Sequence, residues 1–298
     1  MIWAIADSPV SADAVIGALQ GMQEDISLVY FGNDSETIAN KGIAKVYAVS
    51  VDGFPYGYGQ SLGAFLKEQG ATTVAVPATI RWRSVAAQIA VILEAPIFSG
   101  VMKVENSDGI ILTRMVYGGA ADRKEKLTGK PIVITVGLGI FTPTEGTAAT
   151  VEPLALTEMA TGIVSKEFKK AEGEVINLNA ASRVVGVGRG FPDKASLVMA
   201  EELATAIDGV VGCTRPVAEG LDWMTKDRYI GSTGAMLNAS VYIACGVSGQ
   251  IQHMSGALGC KTIFAINKDA DALIFKHADY GLIGTVEDVL PKLVAALK

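Results

Sequence analysis

Short runs of β-branched and aliphatic residues alternate with helix-like patterns along most of this chain. In the first half these runs predict strands at Ile2–Ala6, Ile26–Phe31, Lys45–Val49 and residues 72–76, 110–117 and 131–141. The spacing of apolar residues between them predicts helices at residues 11–19, 60–68 and 84–93. Strands joined through helices form a mostly parallel sheet with helices on both faces. The alternation therefore predicts an α/β fold.

The length of 298 residues favours two domains, because a single hydrophobic core rarely extends through so long a chain. A charged stretch at residues 166–173 has the composition of a linker or a solvated face. We predict an N-terminal nucleotide-type α/β domain at residues 1–176 and a C-terminal Rossmann-like domain at residues 177–298. Each domain is expected to be a mostly parallel sheet with flanking helices.

The composition excludes several classes of protein. Half of the residues are hydrophobic and 19% are charged, and the net charge of −6 argues against a nucleic-acid-binding or anionic-membrane-binding surface. No apolar run approaches the ~20 residues that span a bilayer, and the first residues have the pattern of a strand rather than a signal peptide. Three cysteines without C-x-x-C spacing and only two histidines predict a reduced cytoplasmic protein without a metal site.

The most informative turn is Gly-Val-Ser-Gly-Gln-Ile-Gln-His-Met-Ser-Gly at residues 246–256, which directly follows the apolar run Val241–Cys245. The pattern predicts a buried strand, a glycine turn and a helix that begins near Ser248. Free N–H groups and the helix dipole favour an anion at such a start. Gln252 and His253 follow, and burying them is costly unless polar groups meet them. The turn predicts a binding site, with a histidine hydrogen-bonded inside the protein as the alternative.

Three further loops carry polar or glycine residues after predicted strands. Residues 188–190 are Gly-Arg-Gly, where glycine lets backbone N–H groups approach a pyrophosphate and Arg189 offers a forked cation. Residues 210–217 contain Arg215, although a turn with an incidental arginine gives the same pattern. Residues 229–237 contain Gly-Ser-Thr-Gly. The chain lacks a G-x-G-x-x-G turn here, so a nicotinamide cofactor is not the first choice.

In order and spacing these loops resemble those of electron transfer flavoprotein alpha subunits, which read Gly-Gly-Arg-Gly, Gly-x-Ser-Arg, Val-Gly-Gln-Thr-Gly and Gly-x-Ser-Gly-x-x-Gln-His. Asp-Trp-Met at residues 222–224 is similar to the bacterial subgroup of nitrogen-fixation and carnitine pathways. The resemblance implies an FAD-binding C-terminal domain and an N-terminal domain that packs on a beta subunit in a heterodimer. It also implies an electron carrier without substrate chemistry of its own. Its donors would be flavoprotein dehydrogenases such as acyl-CoA dehydrogenases, and its acceptor a downstream membrane or soluble protein.

The resemblance also assigns FAD contacts to individual residues. These are Arg189, Gly190, Thr214, Arg215, Gly231, Ser232, Thr233, Gly234, Ser248, Gly249, Gln252, His253, Asn267 and Asp279. It places Arg215 over the flavin ring near N5, and it gives the Thr233 hydroxyl to N5. A fixed cation stabilises negative charge on reduced flavin more than it stabilises the oxidised ring. Arg215→Ala is therefore expected to lower the first reduction potential by on the order of 50–100 mV.

The remaining FAD contacts are assigned to the loops after residue 245. The resemblance places Ser248 at phosphate or ribityl groups, and Gln252 and His253 at the ribityl chain and the flavin C2 carbonyl, where a protonated or donating imidazole would favour reduced flavin. Asn267 is expected at the ribose or adenine and Asp279 near the adenosine end.

The sequence departs from the family pattern at four places. Val187 replaces a glycine, and Thr214 replaces a serine but keeps the hydroxyl. Ser232 stands where glutamine is usual, and Gly-Leu at residues 137–138 stands where the family strand has Arg-Pro. Two other functions remain open: a nicotinamide-dependent dehydrogenase with a Rossmann-like domain, and a nucleotide-binding regulatory module built on the first half. The identity of the bound cofactor discriminates among the three.

Overall fold

The computed structural model describes residues 1–50, 55–160, 162 and 176–297. The chain forms two compact units, one of Met1–Met115 and Asp122–Phe168 and the other of Val116–Ala121 and Lys169–Lys298. The charged stretch at residues 166–173 lies outside the described residues. No helix in the described part of the chain is both long and apolar enough to cross a membrane.

The first sheet has nine strands. They are Ile2–Ala6 (β1), Ile26–Phe31 (β2), Lys45–Val49 (β3), Thr73–Pro77 (β4), Ile97–Asn106 (β5), Ile110–Val116 (β6), Ala121–Lys126 (β7), Ile132–Val136 (β8) and Thr150–Pro153 (β9). Their order is β7-β6-β5-β8-β4-β1-β2-β3-β9, with parallel pairing from β5 through β9 and an antiparallel β5–β6 hairpin. The helices that accompany this sheet are Pro9–Gln20 (α1), Gly59–Glu68 (α2) and Ile80–Leu93 (α3).

Helix α1 shows how local chemistry sets an element's start. Ser8 is the N-cap, and the helix begins at Pro9, two residues before the predicted start at Ser11. The two serines form a reciprocal capping box, in which the Ser8 hydroxyl accepts from the Ser11 N–H at 3.3 Å and the Ser11 hydroxyl accepts from the Ser8 N–H at 3.0 Å. Pro9 occupies the first helical position, where its missing N–H costs nothing.

The second sheet is fully parallel and has five strands. They are Arg183–Val187 (β10), Val210–Cys213 (β11), Val241–Cys245 (β12), Ile263–Asn267 (β13) and Tyr280–Ile283 (β14). The accompanying helices are Val198–Ala206 (α4), Arg215–Glu219 (α5), Ile251–Met254 (α6) and Val286–Leu297 (α7). The predicted α/β class, with two mostly parallel sheets and flanking helices, is confirmed.

The strand order of the second sheet creates a crevice. In the order β11-β10-β12-β13-β14 the chain moves from β10 to one side for β11 and then to the other side for β12. The loops that leave β10 and β12 therefore diverge at the carboxyl ends of two neighbouring strands, which is where open parallel sheets bind ligands.

Cys213 and Cys245 end the two strands that flank β10, and burial raises the pKa of each thiol to about 12.

The turn after β12 differs from the prediction. Helix α6 contains only four residues and has Gln250 as its N-cap, so Ser248 lies before the helix rather than at its cap. Gly246 and Gly249 adopt φ values of +63° and +80°, which lead the chain through an irregular loop before the helix starts. A helix this short supplies little dipole, so the anion-binding capacity of the turn rests on its loop.

Candidate functional site

A pocket of about 620 Å³ opens at the carboxyl ends of the second sheet. Its walls come from the loops that follow β10, β11, β12 and β13, together with residues 229–233. A larger groove of about 1010 Å³ runs along β12, β13, β14 and α7, but its lining is mainly aliphatic and aromatic. The smaller pocket gathers arginine, hydroxyl, amide and carboxylate groups, and it is therefore the candidate site.

Most of the sequence-predicted contacts meet in this pocket. Ten of them line it: Arg189, Gly190, Thr214, Arg215, Ser232, Thr233, Ser248, Gln252, His253 and Asn267. Gly231, Gly234 and Gly249 belong to the same loops and shape their backbone rather than the pocket surface. Gly249 has no room for a side chain, because an added Cβ would collide with the backbone of residues 273–274.

Asp279 does not line this pocket, and its expected position near the adenosine end of FAD stays a prediction. Its carboxylate accepts the Ile263 N–H at 2.8 Å, and its own N–H donates to the Ile263 carbonyl at 2.9 Å. Ile263 is the first residue of β13, so Asp279 lies at the amino ends of the strands, at the opposite edge of the sheet from the pocket. The carboxylates that line the pocket are those of Asp269 and Asp271.

The glycine loops after β10 and β12 touch one another through their backbones. The Gly188 N–H donates to the Cys245 carbonyl at 2.9 Å, and the Gly190 N–H donates to the Gly246 carbonyl at 3.0 Å. A Cβ at Gly190 would lie 2.5 Å from the Gly246 Cα. Glycine is thus required at residue 190 because another backbone occupies the space that a side chain would need.

Arg215 is held at the rim of the pocket by a carboxylate. Thr214 is the N-cap of α5, and Arg215 is the first residue of this five-residue helix. The Arg215 Nε lies 2.5 Å from Glu219 Oε2, one turn later on the same face. This hydrogen bond lowers the pKa of the Glu219 carboxyl.

His253 is buried and neutral. Its Nδ1 lies 3.0 Å from the Ile230 carbonyl and its Nε2 lies 2.7 Å from the Tyr242 hydroxyl. A carbonyl can only accept, so Nδ1 carries the hydrogen and Nε2 accepts from the tyrosine. Burial lowers the pKa of His253 to about 4. This arrangement argues against a charged imidazole, because both ring nitrogens have protein partners, and the expected contact of His253 with the flavin C2 carbonyl stays a prediction.

Two other residues with predicted FAD contacts, Thr233 and Asn267, also form hydrogen bonds within the protein. The Thr233 hydroxyl is hydrogen-bonded to the Tyr229 phenol, whose ring lies against Gly234. The Asn267 amide nitrogen donates to the Val247 carbonyl at 2.8 Å, and its oxygen accepts the N–H of residue 269 at 3.0 Å. The Asn267 side chain therefore ties the end of β13 to the turn after β12 and shapes the pocket from behind.

Several pocket residues escaped the sequence analysis. They are Pro216, Tyr229, Ile230, Gln250, Asp269, Asp271, Ala272 and Leu273. Glu219 was missed as well, although Thr-Arg-Pro at residues 214–216 has the pattern of a capped helix start and would have placed residue 219 one turn from Arg215.

Among the described residues, no group of three or more His, Cys, Asp or Glu side chains is placed to hold a metal ion.

A parallel sheet of this order, with glycine loops, hydroxyls and two arginines at its carboxyl edge, defines a protein of the dinucleotide-binding class. The sequence matches the family described as "Electron transfer flavoprotein domain" over residues 7–161 and "Electron transfer flavoprotein FAD-binding domain" over residues 177–258. It is similar to the "Putative electron transfer flavoprotein subunit YdiR" of Escherichia coli (strain K12), with 34% identity over 99% of this chain and 97% of the relative. It is also similar to "Protein FixB" of Escherichia coli O9:H4 (strain HS), with 32% identity over 99% and 97%.

The chain belongs to the electron transfer flavoprotein family. It is an alpha-type subunit, and its cofactor is FAD. The resemblance drawn from the loops is confirmed, and nothing in the matches supports a nicotinamide-dependent dehydrogenase.

Proposed function

We propose that this alpha subunit binds FAD in the pocket of its second unit and carries electrons from flavoprotein dehydrogenases, acyl-CoA dehydrogenases among them, to a membrane or soluble acceptor. The observation that supports this most strongly is the pocket at the carboxyl ends of β10–β13, which gathers ten of the predicted FAD contacts. Its donors match the parts of FAD, since arginines and glycine loops suit a pyrophosphate and hydroxyls suit the ribityl chain.

In this proposal each loop holds one part of the cofactor. Arg189 and Gly190 bind the pyrophosphate, with the Ser248 hydroxyl at a phosphate or ribityl oxygen. Thr214, Arg215, Ser232 and Thr233 surround the flavin ring, and Gln252 approaches the ribityl chain. Asn267 acts on the adenosine side by shaping the loop that it ties to β13. The carboxylates of Asp269 and Asp271 provide acceptors for ribose hydroxyls.

FAD supplies the uptake and release of electrons when it is bound, while the protein sets its environment. Arg215 places a permanent positive charge at the pocket rim, which favours negative charge on the ring. His253 supports the pocket wall as a neutral group, because both of its nitrogens are hydrogen-bonded to the protein. The side chains of the pocket thus orient the cofactor, and we assign no substrate chemistry to them.

We further propose that the chain works as a heterodimer with a beta subunit, on which an N-terminal domain of residues 1–176 packs, and that it resides in the cytoplasm. The family match over residues 7–161 and the names of the relatives support the first part. Three free cysteines support a reducing compartment. Copurification of an untagged beta subunit and fractionation of cells test these statements.

The decisive experiment is a visible spectrum of the protein coexpressed with its beta subunit, followed by identification of the ligand released on denaturation. We expect flavin absorption bands and release of FAD. A folded, colourless heterodimer that also fails to take up added FAD would contradict the proposed function.

A further inference from the structure

Glu219 lies beside one of the two arginines of the pocket without lining the pocket itself. Arg215 begins α5 and Glu219 ends it, and their hydrogen bond joins Nε to Oε2 at 2.5 Å. The second carboxylate oxygen of Glu219 lies 3.8 Å from Lys226 Nζ. The carboxylate is therefore shared between a pocket arginine and a lysine outside the pocket.

The geometry leaves the outer end of the arginine available. The hydrogen bond uses Nε, which is the guanidinium nitrogen closest to the aliphatic stem. Within the described part of the chain the two terminal nitrogens of Arg215 have no hydrogen-bond partner. The arginine side chain is 64% exposed and the glutamate side chain 29% exposed. The carboxylate thus acts as the anchor, and the terminal N–H groups remain free for an anionic or polar ligand.

The same carboxylate opposes the arginine electrostatically. It carries a negative charge next to the guanidinium, and the hydrogen bond from Arg215 lowers the pKa of the Glu219 carboxyl. A group outside the contact distance feels the sum of the two charges, so Glu219 reduces the field that Arg215 exerts on its surroundings. A variant that removes the negative charge of residue 219 but keeps its hydrogen-bond acceptor therefore separates the anchoring of Arg215 from the reduction of its field.

We propose that Glu219 is a positioning residue that holds the Arg215 guanidinium at the flavin pocket and offsets part of its charge, so that the bound FAD has a lower reduction potential than Arg215 alone would give. The inference rests on the proposed function, since it concerns FAD in this pocket. Glu219 does not touch the cofactor and acts through Arg215. Its contribution would tune the driving force between donor and acceptor.

The test is Glu219→Gln in the FAD-loaded heterodimer. Glutamine keeps an oxygen that accepts from Arg215 Nε, but it carries no charge. The equilibrium constant for uptake of the first electron is expected to rise about tenfold, which corresponds to about 59 mV in a redox titration. Glu287→Gln is the matched control, because it removes the same charge from an exposed position on α7 and should leave the potential unchanged.

A second pair of variants separates positioning from a direct effect. Arg215 holds the Glu219 carboxylate near the pocket, so without it the carboxylate is free to move away from the flavin. Relative to Arg215→Ala alone, the added Glu219→Gln substitution should therefore raise the potential much less than it does in the wild-type background. Glu219→Asp keeps the charge but shortens the reach, so it should lower the affinity for FAD, measured by quenching of flavin fluorescence, more than Glu219→Gln does.

An unchanged or lowered potential in Glu219→Gln would overturn the inference, as would an equal shift in the presence and absence of Arg215. These results leave the proposed function intact, because they require FAD to be bound. Failure of the unaltered heterodimer to bind FAD would overturn both.

Discussion

The environment of His253 shows how the meaning of a residue depends on its partners. The sequence marks it as a ligand because it is a rare histidine in a glycine turn, yet its two nitrogens contact Ile230 and Tyr242. The tyrosine itself is fully buried, and a side chain at Gly186 would collide with its hydroxyl. A glycine in β10 thus makes room for a phenol from β12, which in turn fixes one tautomer of the imidazole.

Tyr242→Phe should destabilise the protein by about 1–3 kcal/mol, because it leaves the buried Nε2 of His253 without a donor. The ring is retained, so loss of packing contributes little. Urea unfolding at pH 7 measures the effect. His277→Gln removes the only other histidine and serves as a control that should stay near the wild-type value. A wild-type midpoint for Tyr242→Phe would contradict the assigned hydrogen bond.

The pKa of His253 also predicts how stability depends on pH. Its value is about 4 in the folded protein, whereas an unfolded histidine has a pKa of about 6.5. Above pH 6.5 the group is neutral in both states, so it does not oppose folding. As the pH falls from 6.5 to 4, only the unfolded state takes up the proton, and stability decreases. His253→Gln should flatten this part of the pH profile in urea unfolding.

At the scale of helices and strands, the sequence predicted the features that depend on the local pattern of residues. The bounds of β1, β2, β3 and β12 were predicted correctly, because short apolar runs between turns leave few alternatives. The start of α6 was wrong because Gly249 adopts a left-handed backbone that delays the helix. The sequence did not show which edge of the sheet Asp279 occupies, because a residue between strands can face either edge, and only the hydrogen bonds to Ile263 decide which.

The hydrogen-bond partners of the pocket side chains could not be predicted from the local sequence pattern. The Tyr242–His253 bond depends on the register of β12 beside β10, and the tie from Asn267 to Val247 depends on β13 pairing with β12. Family resemblance therefore predicted which loops form the pocket. The tertiary contacts decide whether each side chain faces the ligand or bonds to the protein.

Gly190→Ala tests the contact between the loops of β10 and β12. A Cβ at this position meets the Gly246 backbone, which cannot move aside as a flexible side chain could. We expect a loss of FAD affinity of at least tenfold, measured by fluorescence titration, because the two loops must separate. Gly129→Ala is a suitable control, since a Cβ there has nothing within 4 Å. An affinity equal to that of the control would show that the loops do not pack in this way.

At the scale of the molecule, the two units have separate cores. The buried clusters of the first unit draw on residues before 157, and those of the second draw on residues after 175. Binding of a ligand to one unit stabilises that unit directly. Its effect on the other core is indirect, because the residues that line the pocket all belong to the second unit.

Hydrogen exchange of the heterodimer with and without FAD should therefore show a localised response. We expect slower exchange in peptides that cover β10–β13 and their loops, because local opening there must release the cofactor. Peptides that cover β1–β4 should exchange at similar rates in both states, and they provide the internal control. Equal protection of both sets would indicate that FAD couples the two cores.

The buried thiols at the ends of β11 and β12 have a practical consequence for experiments in solution. Cys213 and Cys245 are inaccessible, and their high pKa leaves almost no thiolate to react. Cys260 is only partly buried, but burial raises its pKa to about 11. A single cysteine introduced on the surface would therefore react with a maleimide dye well ahead of the native thiols. The protein is suited to site-specific fluorescent labelling without prior removal of its own cysteines.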